Sequence, residues 1–160
     1  MSKVEKGALQ VPAICNGSVI DHIPVEKLMK VVRLLGMDRL NLPITIGQNF
    51  ASQKLGRKGI IKVEDKHFTQ AEVNKLALVA PRIVINVIKD YKVVEKIHAV
   101  LPNEIVGIVQ CSNPKCISNN EPMQSAFSVI DREHGILHCK YCNRKIEREE
   151  VIILFMSNKD

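Results

Sequence analysis

The sequence predicts an α+β protein in two parts, and three observations carry that prediction. Through residues 1–102 the apolar positions follow the order strand, helix, strand, strand, helix, strand, strand. Four of the five cysteines fall as two close pairs between positions 111 and 142. The basic excess sits wholly in the first part: residues 1–102 hold 16 Lys and Arg against 9 Asp and Glu, and residues 103–160 hold 7 against 8, in a 160-residue chain of net charge +6.

Residues 1–10 mix charge with Gly7 and Ala8 without periodicity, the pattern of a loose arm. From Val11 to Ile23 short apolar patches flank Asn16-Gly17, a turn pair that predicts two extended pieces. Pro24 stands where a helix can begin, and Leu28, Val31, Val32 and Leu35 follow at helical spacing up to Gly36, predicting about three turns. Ile44, Ile46 and Phe50, then Ile60, Ile61 and Val63, read as a hairpin around a turn-like stretch from Ser52 to Gly59. Thr69-Gln70-Ala71-Glu72 matches a capping box, and Val73, Leu76, Ala77 and Ala80 complete a helix that Pro81 stops. In the next strand Ile83, Ile85 and Val87 face one way and Val84, Asn86 and Ile88 the other. Lys89-Asp90 then turns the chain into a strand from Tyr91 to Ile97. This is the split βαβ order of a ferredoxin-like sandwich with one extra edge strand. Leu101-Pro102-Asn103 marks the linker between a domain at 1–102 and a second at 103–160. In the second, Ile105–Val109, Ala126–Ile130, Ile136–His138 and Val151–Phe155 are strand-like.

Cys111 and Cys116 are spaced C-x4-C, and after 22 intervening residues Cys139 and Cys142 are spaced C-x2-C. Thiolates so close in sequence converge when the loop between them turns, and a pair from each of two hairpins completes a tetrahedron. So short an all-β module buries too little apolar surface to offset chain entropy alone, so one structural zinc ion is expected to crosslink a zinc-ribbon-like fold. A closed four-thiolate shell has no open position for substrate or water. His138 adjoins Cys139 but is surplus to that shell, and Cys15 stands alone.

No Ser-His-Asp order, Gly-rich phosphate loop or His-Glu-x-x-His motif occurs, so catalysis is not expected. Asp21-His22 is an acid and base in tandem, but neighbours on an extended strand face opposite ways. Asn86 interrupts an apolar strand face, and Lys62, Lys96 and Tyr91 fall on strands too. Together these make a surface suited to a nucleotide: lysines for phosphates, Asp21 for a ribose hydroxyl, backbone near Ile14 and Tyr91 for a base edge. A nucleic-acid-binding zinc ribbon is the rival reading. It is disfavoured because the basic excess lies outside the cysteine module.

Leu9-Gln10-Val11, the string Ile20-Asp21-His22-Ile23-Pro24, Ile44-Thr45-Ile46-Gly47, Leu76-Ala77-Leu78-Val79-Ala80-Pro81 and Cys139-Lys140-Tyr141-Cys142 resemble the regulatory chains of aspartate carbamoyltransferase. The resemblance spans nearly the full length. It implies a non-catalytic subunit whose first domain binds CTP or ATP and whose zinc domain docks on catalytic chains, two catalytic trimers being bridged by three regulatory homodimers. By position it places Val11, Ala13, Ile14, Val19, Asp21, His22, Ile60, Lys62, Asn86, Ile88, Tyr91, Val93 and Lys96 on the nucleotide pocket, and the Ser112–Lys115 knuckle against the catalytic chain. A cytoplasmic location, with neither nucleic acid nor membrane as partner, is expected from the same reading and from the lack of an apolar run near the ~20 residues of a membrane span.

Overall fold

The computed structural model describes residues 12–154. The strands are β1 (Gly17–Pro24), β2 (Ile44–Ser52), β3 (Gly56–Glu64), β4 (Val84–Lys89) and β5 (Lys92–His98), ordered β2-β3-β1-β4-β5 in one sheet. Every pairing in it is antiparallel. Between the strands run α1 (Leu28–Leu34) and α2 (Gln70–Asn74), the latter continued by a 3-10 turn at Lys75–Leu78. This is the ferredoxin-like order, with β5 as the added edge strand.

Register explains the layering, because residues directly opposite one another share a face. Ile20 pairs with Ile61 and with Ile85, and all three are fully buried beneath Leu28, Val31, Val73 and Leu76 of the helical layer. The alternate residues, Val19, Lys62 and Asn86, form the opposite face, and among the described residues no helix covers it. The capping box is formed, Thr69 Oγ1 accepting from the Glu72 amide while the Glu72 carboxylate accepts from the Thr69 amide.

Several boundaries differ from expectation. Asn16-Gly17 does not join two strands: residues 12–16 are irregular and β1 starts at Gly17. There the backbone has φ +145°, and a Cβ would stand 2.0 Å from the Val63 carbonyl oxygen, so only glycine fits. α1 is shorter than expected because Val25–Lys27 forms a 3-10 turn first. The β2–β3 connection is tighter, since β3 starts at Gly56. Tyr91 is not on a strand. It shares the β4–β5 turn with Asp90, both with positive φ, and Lys89 pairs with Lys92.

Beyond the linker lie β6 (Glu104–Val106), β7 (Val109–Gln110), α3 (Ile117–Asn120), β8 (Ala126–Asp131), β9 (Ile136–Cys139), β10 (Lys145–Ile146) and β11 (Ile152–Ile153). They form a sheet ordered β10-β9-β8-β6 and a small β11-β7 sheet. The strand expected over 105–109 is broken at Gly107, whose φ of +73° turns the chain so that its amide meets the Ser125 carbonyl. The expected last strand is reduced to Ile152–Ile153; Phe155 lies outside the described residues. Across this sheet Ile105, Phe127 and Cys139 are paired in one row and buried, so the apolar core runs directly into the cysteines.

Candidate metal centre and nucleotide face

Two knuckles bring Cys111, Cys116, Cys139 and Cys142 together, with every Sγ within 4.8 Å of the others. Cys111 and Cys142 Sγ are 3.6 Å apart, and Cys116 and Cys139 Sγ 3.7 Å. A tetrahedral ion with metal–sulfur bonds of about 2.3 Å would hold sulfurs about 3.8 Å apart, so this donor set fits one such ion. His138 belongs to β9, paired with Ser128 and Lys145, and is outside the cluster.

The longer C-x4-C loop is wired by side chains that spacing alone did not single out. Asn119 Nδ2 donates to the Cys111 and Asn113 carbonyls, each at 2.8 Å, and Asn120 Nδ2 donates to the Pro114 and Cys116 carbonyls at 3.0 and 2.8 Å. Ser118 Oγ lies 3.1 Å from Cys116 Sγ. An Asn pair three and four residues after Cys116 is the signal for this role, since asparagine amides commonly close loops onto backbone carbonyls. In the shorter knuckle Asn143 takes a positive φ, and its amide donates to the Cys139 carbonyl at 3.0 Å. Burial pushes the Cys111 thiol up to about 12 and also raises Cys139. Cys142 is brought down to about 7 against the opposing effect of burial, by the Arg144 amide, the Asn113 side chain and the neighbouring thiols. Dry thiols resist ionising, and a cation at their centre supplies the charge that lets them bind as thiolates.

The helix-free face of the five-stranded sheet gathers most of the other sequence candidates. Register sets Lys62, Val19, Asn86 and Lys96 in one row across β3, β1, β4 and β5. Two residues along the same strands, and so on the same face, lie Ile60, Asp21 and Ile88, and Val93 sits opposite Ile88. The irregular segment closes one side. Lys62 Nζ donates to the Pro12 carbonyl at 2.7 Å, Ile14 is buried, Ala13 is exposed, and the Tyr91 amide donates to the Cys15 carbonyl at 2.9 Å. The Tyr91 amide is therefore already engaged, and its ring stands exposed at the turn. Val11 lies outside the described residues.

Charge on this face is arranged unevenly. Burial lowers the Lys62 ammonium below the ordinary lysine value, and the Asp21 carboxylate works against that. Asp21 is held by Lys58 Nζ at 2.9 Å and by the His22 amide at 2.7 Å. Contrary to the strand rule, the His22 ring is near its neighbour, with Nδ1 3.7 Å from the Asp21 carboxylate, because the β1–β3 register shifts between Ile20 and Ile23 and His22 has φ +56°. Asn86 Oδ1 is buried with no hydrogen-bond partner among the described residues. A cavity of about 690 Å³ lies elsewhere, between the helical layer and β11, lined by residues that include Leu35, Lys75, Ile108 and Ile153.

Comparison with known proteins covers both halves. Residues 9–100 match the family model described as the aspartate carbamoyltransferase regulatory chain, allosteric domain, and residues 103–152 match the metal binding domain of the same chain. Proteins named aspartate carbamoyltransferase regulatory chain are similar over almost their whole length. One from Parabacteroides distasonis is 54% identical over 96% of this chain and 99% of its own. One from Phocaeicola vulgatus is 56% identical over 93% and 96%, and one from Thermococcus gammatolerans 48% identical over 90% and 96%.

Proposed function

This chain belongs to the family of aspartate carbamoyltransferase regulatory chains, the non-catalytic partners of that enzyme, and from that premise we propose that it senses CTP and ATP on the helix-free sheet face and bridges catalytic trimers through a zinc-held module. The observation that supports the nucleotide reading most is the orphaned Asn86 oxygen in a row with two lysines. A buried acceptor without a donor costs about 1–3 kcal/mol, and the exocyclic amino group of cytosine or adenine is the kind of donor that would satisfy it. Lys62 and Lys96 neutralise phosphate, Asp21 accepts from a ribose hydroxyl, and Val19, Ile60, Ile88 and Val93 line the sugar and base. Ala13, Ile14, His22 and Tyr91, with Val11, complete the rim.

Zinc is the ion we assign to the four cysteines, since a closed tetrahedral thiolate set suits it and offers no substrate position. It would supply folding free energy to the module rather than chemistry. The Ser112–Lys115 knuckle is the segment we assign to the catalytic chain, with regulatory chains paired as homodimers. Nucleotide control then follows from linkage: an effector changes activity by binding one quaternary state more tightly, with a coupling of about 1–3 kcal/mol. CTP and ATP share ribose and triphosphate, so the size of the base is what distinguishes them on this face. Among the described residues no helix is long and apolar enough to cross a membrane, which is compatible with the expected cytoplasmic site of action.

The test is reconstitution. Zinc-loaded chain mixed with aspartate carbamoyltransferase catalytic trimers is expected to assemble, and CTP and ATP are expected to change the rate of carbamoyl aspartate formation. Failure to assemble, or assembly with no response to either nucleotide, would overturn the proposal.

A further inference from the structure

The segment joining the two parts is gripped from both sides. β5 ends at His98 and β6 begins at Glu104, with residues 99–103 between them. On the first side, Gln70 Nε2 donates to the His98 carbonyl at 2.8 Å and to Asn74 Oδ1 at 2.7 Å, and Asn74 Oδ1 also accepts from the Val100 amide at 3.0 Å. Both side chains belong to α2, whose first turn is fixed by the Thr69–Glu72 capping box. On the second side, Arg132 donates to the Leu101 carbonyl and to Asn103 Oδ1, and the Val129 amide donates to the Asn103 carbonyl at 2.9 Å. Arg132 follows β8 directly, in the turn toward β9, and β9 ends in the metal-ligating Cys139.

The segment also starts on the proposed nucleotide face. His98 is opposite Val84, which is opposite Asp21, and Lys96 precedes His98 by two positions on the same side of β5. A ligand that pulls on Lys96 or Asp21 therefore moves the strand end to which Gln70 is bonded. Freely jointed residues would absorb a small displacement in their own φ and ψ angles. Held by bonds at His98, Val100, Leu101 and Asn103, they pass it on instead.

Resting on the nucleotide reading above, we propose that Gln70, Asn74 and Arg132 are positioning residues that carry a nucleotide-induced movement of β5 into the metal module. Gln70 meets the sheet at the His98 carbonyl, and none of the three is among the proposed nucleotide residues or the cysteines. Their effect is on the coupling between sites rather than on binding or assembly.

Zinc-loaded variants reconstituted with catalytic trimers separate these possibilities. For Asn74→Leu and for Arg132→Met, assembly, activity without nucleotide and CTP affinity are expected to stay within about twofold of the parent, while the activity ratio with and without saturating CTP or ATP moves about threefold or more toward unity. Asn74→Asp keeps an acceptor for both Val100 and Gln70 and is expected to restore the parent ratio, which a purely structural role for the amide would not require. Gln70→Ala removes the His98 bond without touching the cap, so the test stands even if Asn74→Leu disturbs the helix. Undiminished ratios in Gln70→Ala, Asn74→Leu and Arg132→Met would overturn this inference alone, whereas a parent chain that assembles but ignores both nucleotides would overturn the reading on which it rests.

Discussion

The five-stranded sheet and the cysteine module are both antiparallel β structures on one chain, yet they resist unfolding differently. In the first, Ile20, Ile61 and Ile85 are fully buried under a helical layer, and the shape follows from apolar area removed from water. In the second, the strands are short, α3 is a single turn, and the buried row Ile105, Phe127, Cys139 ends on thiols that only a cation can hold together as anions. A sheet with a full core can leave one face open for a ligand. A module whose core is a metal crosslink has its rigidity where the knuckles are, which suits it to docking. On the proposed function, sensing would rest mainly on the apolar sheet core and docking mainly on the four-thiol cluster, so each should fail largely without the other.

The largest expected effect breaks the metal side. Cys139→Ser removes a buried ligand, and because structural zinc supplies about 10–16 kcal/mol of apparent binding free energy in small modules, the second part should lose its fold and its metal. Metal content and the dispersed NMR signals of Phe127 and Leu137 report this, while signals from Ile20 and Ile85 should persist; loss of both sets would contradict the separation. Next comes Ile61→Ala on the apolar side, expected to cost about 2–5 kcal/mol in urea unfolding of the sheet with metal content unchanged. Smaller again is Lys62→Met, which should weaken CTP and ATP binding by about 10- to 100-fold, the worth of a hydrogen bond to a charged group, with the fold of both parts intact by calorimetry.

The smallest effect concerns the β8–β9 turn. The His134 ring is held 2.9 Å from the Asp131 carboxylate, and that hydrogen bond and charge raise the histidine above its ordinary value, while the His134 amide and ring lower Asp131. A raised folded value means that the pair's contribution is fully present below the unfolded histidine value of about 6.5 and is lost as pH rises through the raised folded value. The lowered Asp131 works in the opposite sense, stabilising above its unfolded value and losing that as pH falls through the folded one. Both groups are exposed, so salt should mute the effect. An NMR titration of His134 is expected to give a midpoint above the ordinary value that returns toward it in Asp131→Asn. An identical midpoint in both proteins would show that Asp131 does not hold the His134 charge.

Much of this was legible in the sequence, because spacing and periodicity encode it directly. The spacing of Cys111, Cys116, Cys139 and Cys142 announced the four-thiol cluster, and the Thr69–Glu72 box announced α2. The order of apolar patches gave the ferredoxin-like order, since an antiparallel sandwich with a helix after the first and third strands has few alternatives. What pattern could not reveal depends on partners distant in sequence. The bulge at His22 exists because β1 must register against β3, and it overrides the rule that neighbours on a strand face apart. Tyr91 looks like a strand residue until the two-residue turn with Asp90 claims it. Gln70 and Asn74 read as ordinary polar residues in sequence, and their roles appear only when the groups they meet, the His98 carbonyl and the Val100 amide, are in place.

The proposed separation of sensing from docking is tested most directly by stripping the metal from the zinc-loaded chain with a chelator and measuring, on the same sample, CTP affinity and assembly with catalytic trimers. Assembly should be abolished while CTP affinity stays within about twofold, because the proposed nucleotide face lies on the sheet that buries Ile20, Ile61 and Ile85. Loss of CTP binding in step with loss of metal would contradict it, and would make the sheet and the cysteine module a single folding unit.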